Sequence, residues 1–230
     1  MSKLENIVDW DNLKAVIFDV DGTLYDLHKA RRRMLVKLLA YYLTHPWRLR
    51  ELAILLRFRK LREENHNATP ENLNNAQYEW CATTFDVPAE LVKKIVAEWL
   101  FRRPLPLLRH YRFPGLPKLL ERLQAKNITF AYFSDYPAQE KIVALGLPPK
   151  TTIATTDPAV NRLKPDPVGL QLMAERLQVK VEDCLVIGDR DDRDGECARR
   201  AGMHFLLFAP NQEAKPGQFN NYLALAETIK

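Results

Sequence analysis

Two carboxylates, Asp19 and Asp21, stand two residues apart in Asp19-Val20-Asp21-Gly22-Thr23. They follow Lys14-Ala15-Val16-Ile17-Phe18, a short run rich in strand formers, so the first acid closes a buried strand. In extended chain, residues i and i+2 point to the same side. Gly22 then lets the backbone turn sharply, and Thr23 places a hydroxyl beside the acids. Paired carboxylates at the mouth of an α/β sheet suit covalent catalysis with acid–base help. One Asp attacks, the other shuttles a proton, and a metal ion screens their repulsion. The plain alternative is a strand followed by an Asp-Gly turn.

Three later segments weigh against that alternative. Ser134-Asp135 follows the apolar run Thr129–Phe133, Lys164 lies in Arg162-Leu163-Lys164-Pro165 just before a helix, and Gly188-Asp189, then Asp194, follow Leu185-Val186-Ile187. A hydroxyl and a backbone N–H can hold phosphate oxygens. A lysine offers a point charge to phosphate and nucleophile. A further carboxylate beside Asp19 can hold Mg²⁺, a hard cation that favours oxygen ligands. Alone, each feature also has a bland reading, as a strand end, a loop lysine or an acidic helix start.

The elements that must position these residues alternate along the second half of the chain. The spacing predicts strands over 128–133, 151–155, 183–187 and 205–208, separated by helices over 116–126, 138–145, 167–177 and 194–201, with a weak last helix over 219–229. With the first strand, this is an α/β pattern, a doubly wound parallel sheet. Between Tyr25 and Arg112 only helices are expected. Met34, Leu35, Leu38, Leu39 and Tyr42 mark the first, broken by Pro46, and Leu49 to Leu61 the second. Thr69 with Pro70 opens the third and Pro88 the fourth. The chain therefore divides into a core of residues 1–24 and 113–230 and a helical insert of residues 25–112. Trp47, Trp80 and Trp99 are expected to pack between the insert's helices.

Charge follows the same division. The chain of 230 residues carries a net charge of +5, but residues 25–112 hold 17 basic against 9 acidic residues, and the remainder 17 against 20. A basic insert facing acidic motifs suggests an anionic substrate or partner. Of Arg31-Arg32-Arg33, at most one or two can face a single ligand, because three consecutive residues span most of a helical turn. No run of eighteen apolar residues is present, and Met1–Leu13 lacks the order of a signal peptide. Three scattered cysteines, Cys81, Cys184 and Cys197, build neither a zinc site nor a disulfide framework, which makes the cytoplasm the expected compartment. The basic segment has no recognised nucleic-acid motif, so no nucleic acid and no membrane partner is expected.

Taken together, the four segments resemble the motifs of the haloacid dehalogenase superfamily, whose members are mostly phosphatases. DxDGT stands at Asp19–Thr23, the Ser/Thr at Ser134, the Lys-Pro at Lys164, and GDxxxxD at Gly188–Asp194. The helical insert resembles the family's cap. The resemblance implies that Asp19 is the nucleophile and that Asp21 protonates the leaving oxygen and then activates water. It further implies that Asp19, the backbone carbonyl of Asp21 and Asp189 hold Mg²⁺, with Asp194 a more distant metal partner. Thr23, Ser134, Asp135 and Lys164 would then surround the phosphoryl group of a small phosphorylated metabolite. Dehalogenating members carry a non-acidic residue at the second position, so Asp21 argues for phosphate esters.

Two positions depart from the family pattern. Asp135 stands where many relatives carry Asn, and a carboxylate there is expected to turn away or to be neutralised by Lys164 or an arginine. Arg190 replaces a small hydroxyl residue and is expected to pair with Asp191 or Asp192 or to approach the substrate. The rival readings are a phosphotransferase or phosphomutase with the same motifs, and a non-catalytic binding protein whose basic cap docks an anionic partner.

Overall fold

The computed structural model describes residues 8–213 and 215–229. The first seven residues of the N-terminal stretch discussed above lie outside the described residues. Six parallel strands form one sheet in the order β3-β2-β1-β4-β5-β6. They are β1 (Ala15–Phe18), β2 (Thr129–Ser134), β3 (Thr152–Ala154), β4 (Cys184–Gly188), β5 (His204–Phe208) and β6 (Gln218–Phe219). β1 is central, and Phe18 pairs with Tyr132 on one side and Ile187 on the other. The strand order reverses about β1, so the C-terminal ends of β1, β2 and β4 open onto one crevice, where sheets of this kind bind ligands.

The central strands are mostly apolar because both faces are covered, with Thr129 and Ser134 the polar residues at the ends of β2. Val16, Phe18, Phe130, Tyr132, Leu185 and Ile187 pack on one face against α6 (Leu116–Ala125) and α10 (Tyr222–Glu227). Ala15, Ile17, Ala131, Phe133, Cys184 and Val186 pack on the other against α8 (Val168–Leu177) and α9 (Glu196–Ala201). Alternate residues of each strand thus enter different clusters. β6 escaped the sequence reading because two residues carry no periodicity.

From Leu27 to Tyr111 the elements are α1 (Leu27–Thr44), α2 (Leu49–Glu64), α3 (Leu73–Phe85), α4 (Ala89–Val96) and α5 (Leu105–Tyr111), with a π-helical turn over Ala97–Arg102. Ile54, Leu55, Phe58, Tyr78, Val92, Ile95 and Trp99 form a hydrophobic cluster separate from those of the sheet. The two connecting stretches meet in a bridge between Tyr25 and Arg112. The ends of the segment pack with the core, since Ala30 and Leu108 belong to the cluster under α6.

Three expectations change here. α3 is capped by Asn72, whose side chain accepts from the Asn75 N–H at 3.1 Å; Thr69 lies too far upstream to reach that turn. Trp47 is 74% exposed, because it sits on the tight turn after α1 and not against a neighbouring helix. In α1, Met34 and Tyr42 are buried but Leu35 and Leu39 are about half exposed. The heptad-like spacing located the helix correctly but spread its apolar face wider than the neighbours cover.

Candidate active site

Asp19 leaves β1 at the centre of the crevice and is 7% exposed. Its Oδ1 accepts from Lys164 Nζ at 2.7 Å and its Oδ2 from the Thr23 hydroxyl at 3.1 Å. Lys164 is 2% exposed and also donates to Asp194 Oδ1 at 2.8 Å and to the Phe133 carbonyl at 3.1 Å. One ammonium therefore serves two buried carboxylates and the end of β2. The second oxygen of Asp194 accepts from the Arg190 N–H at 3.2 Å. Asp194 lies in a π-helical turn, Asp191–Gly195, that leads into α9.

Asp19, Asp189 and Asp194 each offer an oxygen within 4.8 Å of the others. Two glycines make this approach feasible. A Cβ on Gly22, which holds φ +105°, would lie 2.2 Å from Asp189 Oδ2, and one on Gly188 would lie 2.5 Å from Asp194 Cγ. Burial, followed by the neighbouring charges, sets the protonation of the group. Asp19 is pushed well above the ordinary carboxylate range by burial and by Asp194 and Asp189, which Lys164 only partly offsets. Asp189 is pushed up to about 6, first by burial and then by Asp194. Lys164 is held firmly protonated, the attraction of Asp19, Asp194 and Asp135 exceeding the cost of its burial. Three acids against one base leave the cluster short of positive charge. Its all-oxygen donor set fits a hard divalent cation such as Mg²⁺.

Asp21 faces a different environment. Lys141 Nζ reaches both of its oxygens, at 2.7 and 2.6 Å, and the Tyr25 hydroxyl donates to Oδ1. Burial raises the Asp21 carboxyl, but Lys141 and Tyr25 outweigh it and hold the group below its ordinary range. Lys141 comes from α7 (Gln139–Ala144) and is buried. The sequence reading missed both Lys141 and Tyr25. A helical lysine whose partner lies 120 residues away leaves no spacing signal.

Thr23 is buried, and its carbonyl accepts from Tyr222 Oη at 2.8 Å. Ser134 is fully buried at the end of β2, its Oγ accepting from the Tyr136 N–H at 3.3 Å. Asp135 lines the same cavity as Asp19 and Asp21. Arg62 and Thr155 hold its backbone carbonyl at 2.7 and 2.9 Å, while its carboxylate makes no hydrogen bond or ion pair among the described residues. Its charge helps keep Lys164 protonated. Arg190 pairs with Asp192, as the sequence suggested, and also reaches across to Glu63 of α2 at 3.2 Å. Arg193 joins it on Glu63 at 2.7 Å. Asn161 adds a second tie, accepting from the Leu73 N–H and donating to the carbonyls of Pro70 and Glu71. Of the arginine triplet, only Arg31 lines the cavity.

Residues 13–202 match the family of haloacid dehalogenase-like hydrolases. The chain belongs to that family. It is 27% identical over 196 residues to an N-acetylmuramic acid 6-phosphate phosphatase of Pseudomonas putida, across 83% of this chain and 80% of the relative. In fold it is similar to a 2-haloacid dehalogenase of Pseudomonas syringae pv. Tomato (TM-score 0.65, 20% identity, 94% of this chain and 98% of the other). It is also similar to YfnB of Bacillus subtilis, solved bound to magnesium (TM-score 0.66, 19% identity, again 94% and 98%). Among the described residues, no helix of this family member is long and apolar enough to cross a membrane.

Proposed function

We propose that this hydrolase is a magnesium-dependent phosphomonoesterase acting on a small phosphorylated metabolite through an aspartyl-phosphate on Asp19. The observation that carries the reading is the division of labour between the two acids of β1's end. Asp19 is bound to Lys164 and faces the carboxylate cluster, while Asp21 is held separately by Lys141 and Tyr25. Asp19 would attack phosphorus. The departing ester oxygen would take a proton from Asp21, and Asp21, then ionised, would take a proton from the water that attacks the aspartyl-phosphate.

Lys164, Ser134 and the backbone N–H of Asp135 would hold the phosphoryl oxygens, and Thr23 would orient Asp19. Asp19, Asp189 and the backbone of Asp21 would hold Mg²⁺, with Asp194 beside them; the ion would offset the negative charge shared by carboxylates and phosphate. At rest Asp21 is ionised, the form that activates water. A bound phosphate dianion beside it raises its pKa and favours the protonated form that the first step uses.

The helical segment of residues 25–112 would act as a cap, closing over the phosphoryl centre and excluding water. The named substrate of the Pseudomonas putida relative, a sugar-acid phosphate, fits the size of the cavity, about 670 Å³. Three buried free cysteines suit a reducing compartment, the cytoplasm. The test is turnover of p-nitrophenyl phosphate with and without Mg²⁺. Chelation should abolish release of phosphate, and metal-independent release would count against the reading.

A further inference from the structure

Five arginines line the cavity above Asp19, and they divide by what they hold. Arg62 is bound to Gln77 and to the Asp135 carbonyl, and its guanidinium lies 4.3 Å from the Tyr136 ring centre. Arg190 is paired with Asp192 and Glu63, and Arg193 with Glu63 and the Lys164 carbonyl. These three brace the walls. Arg31 and Arg59 make no hydrogen bond or ion pair among the described residues.

The two unpaired guanidiniums come from different helices, Arg31 from α1 and Arg59 from α2, yet they converge. Burial, followed by the charge of Arg31, lowers the pKa of Arg59, while Tyr136 and Asp21 act on it in the opposite sense. Both arginines line the cavity, on the side formed by these two helices. Two like charges held near each other repel, and the charge of Asp21 offsets this only in part, because both of its oxygens are already bonded to Lys141. Glu63 is taken by Arg190 and Arg193, and Asp21 by Lys141. Asp135 and Asp189, which also line the cavity, bond neither arginine, and Asp19 and Asp194 are bonded to Lys164.

The transferred phosphoryl group does not supply the missing anion. On the reading above it is held at the strand ends by Lys164, Ser134 and the Asp135 backbone, on the wall opposite the two helices. We propose that the substrate carries a second anionic group, a carboxylate or a further phosphate, on its leaving-group portion, and that Arg31 and Arg59 bind it. This inference rests on the phosphomonoesterase reading. Planar guanidinium forks match both anions in two-point geometry.

Matched pairs of esters test it. N-acetylmuramic acid 6-phosphate differs from N-acetylglucosamine 6-phosphate by one carboxylate-bearing ether, and glucose 1,6-bisphosphate differs from glucose 6-phosphate by one phosphate. The readout is the ratio of kcat/KM within each pair, measured for the wild type and for the Arg31→Gln, Arg59→Gln double variant. A ratio taken within one protein cancels any loss of folded enzyme. The wild type should favour the anionic member of at least one pair by about tenfold or more, mostly through KM, as expected for a charge-assisted contact. Which pair shows the preference identifies carboxylate or phosphate. The double variant should lose it. Ratios near one for both pairs in the wild type, or a preference that survives in the double variant, would overturn the inference and leave the phosphatase reading standing. Absence of turnover of every ester, p-nitrophenyl phosphate included, would overturn both.

Discussion

The two walls of the cavity are built on opposite electrostatic plans. On the sheet side, Asp19, Asp194 and Lys164 are each less than a tenth exposed and bonded to one another. Asp19 takes its position from the end of β1, Asp194 from the π-helical turn that leads into α9, and Lys164 from the loop before α8. On the helical side, Arg31 and Arg59 reach the cavity from α1 and α2 and make no hydrogen bond or ion pair among the described residues. The first plan is preorganised and rigid, as reaction chemistry needs. The second leaves charges unsatisfied until a ligand arrives, as selectivity needs. Glu63, between them, ties the helical wall to the sheet wall through Arg190 and Arg193.

Substitutions that unbalance the sheet wall should have the largest effects. Lys164→Met strands two buried carboxylates at once. Removing one partner of a buried pair costs about 3–5 kcal/mol, so a drop in thermal midpoint should accompany near-complete loss of turnover. A variant that stays as stable as the wild type would show that proton uptake by the acids, not Lys164, relieves the buried charge of Asp19 and Asp194.

Lys141→Met addresses the second acid. Without Lys141, burial acts on Asp21 with only the Tyr25 hydroxyl and the charge of Arg31 to oppose it, so its pKa should rise and the limb of the pH–rate profile that reports Asp21 should move to higher pH. The stability effect has a definite sign. Asp21 is depressed in the fold, so its pairing stabilises above the ordinary carboxylate pKa of about 3.9 and is lost as pH falls through the lower folded value. Denaturation midpoints of wild type and variant should therefore differ at neutral pH and converge in acid. A gap that persists there would point to lost packing by the buried Lys141 stem.

Glu63→Gln should have the smallest effect. Glu63 is 57% exposed, and exposed ion pairs contribute about 0–1 kcal/mol each. Little change in stability is expected, but a rise in KM should appear if the two walls must stay together to hold substrate. The rise should shrink at high salt, where the wild-type pairs are themselves screened.

The same contrast explains what could be read from the sequence. Asp19, Ser134, Lys164, Asp189 and Asp194 were legible because each follows a strand or opens a helix, and an apolar run announces where a strand ends. The parallel α/β order was legible for the same reason. Lys141, Glu63 and Asn161 were not, since their partners lie far along the chain and their types are those of ordinary surface residues, and a tyrosine four residues after Asp21 carries no signal that it will bond that carboxylate. Helical geometry limited the triplet to at most one or two residues that could face a ligand, and only the structure shows that Arg31 lines the cavity while Arg32 and Arg33 do not. The exposed Leu35, Leu39 and Trp47 show the converse, that apolar spacing locates a helix without saying how much of it is covered.

The proposed chemistry turns on Asp19 as the group that accepts the phosphoryl. Rapid acid quenching during turnover with Mg²⁺, followed by peptide mass spectrometry, tests this directly. The wild type should show a phosphoryl adduct on the peptide containing Asp19, and Asp19→Asn should show neither the adduct nor turnover while keeping its fold. Near-normal phosphatase rates in Asp19→Asn, or an adduct confined to another residue, would contradict the mechanism.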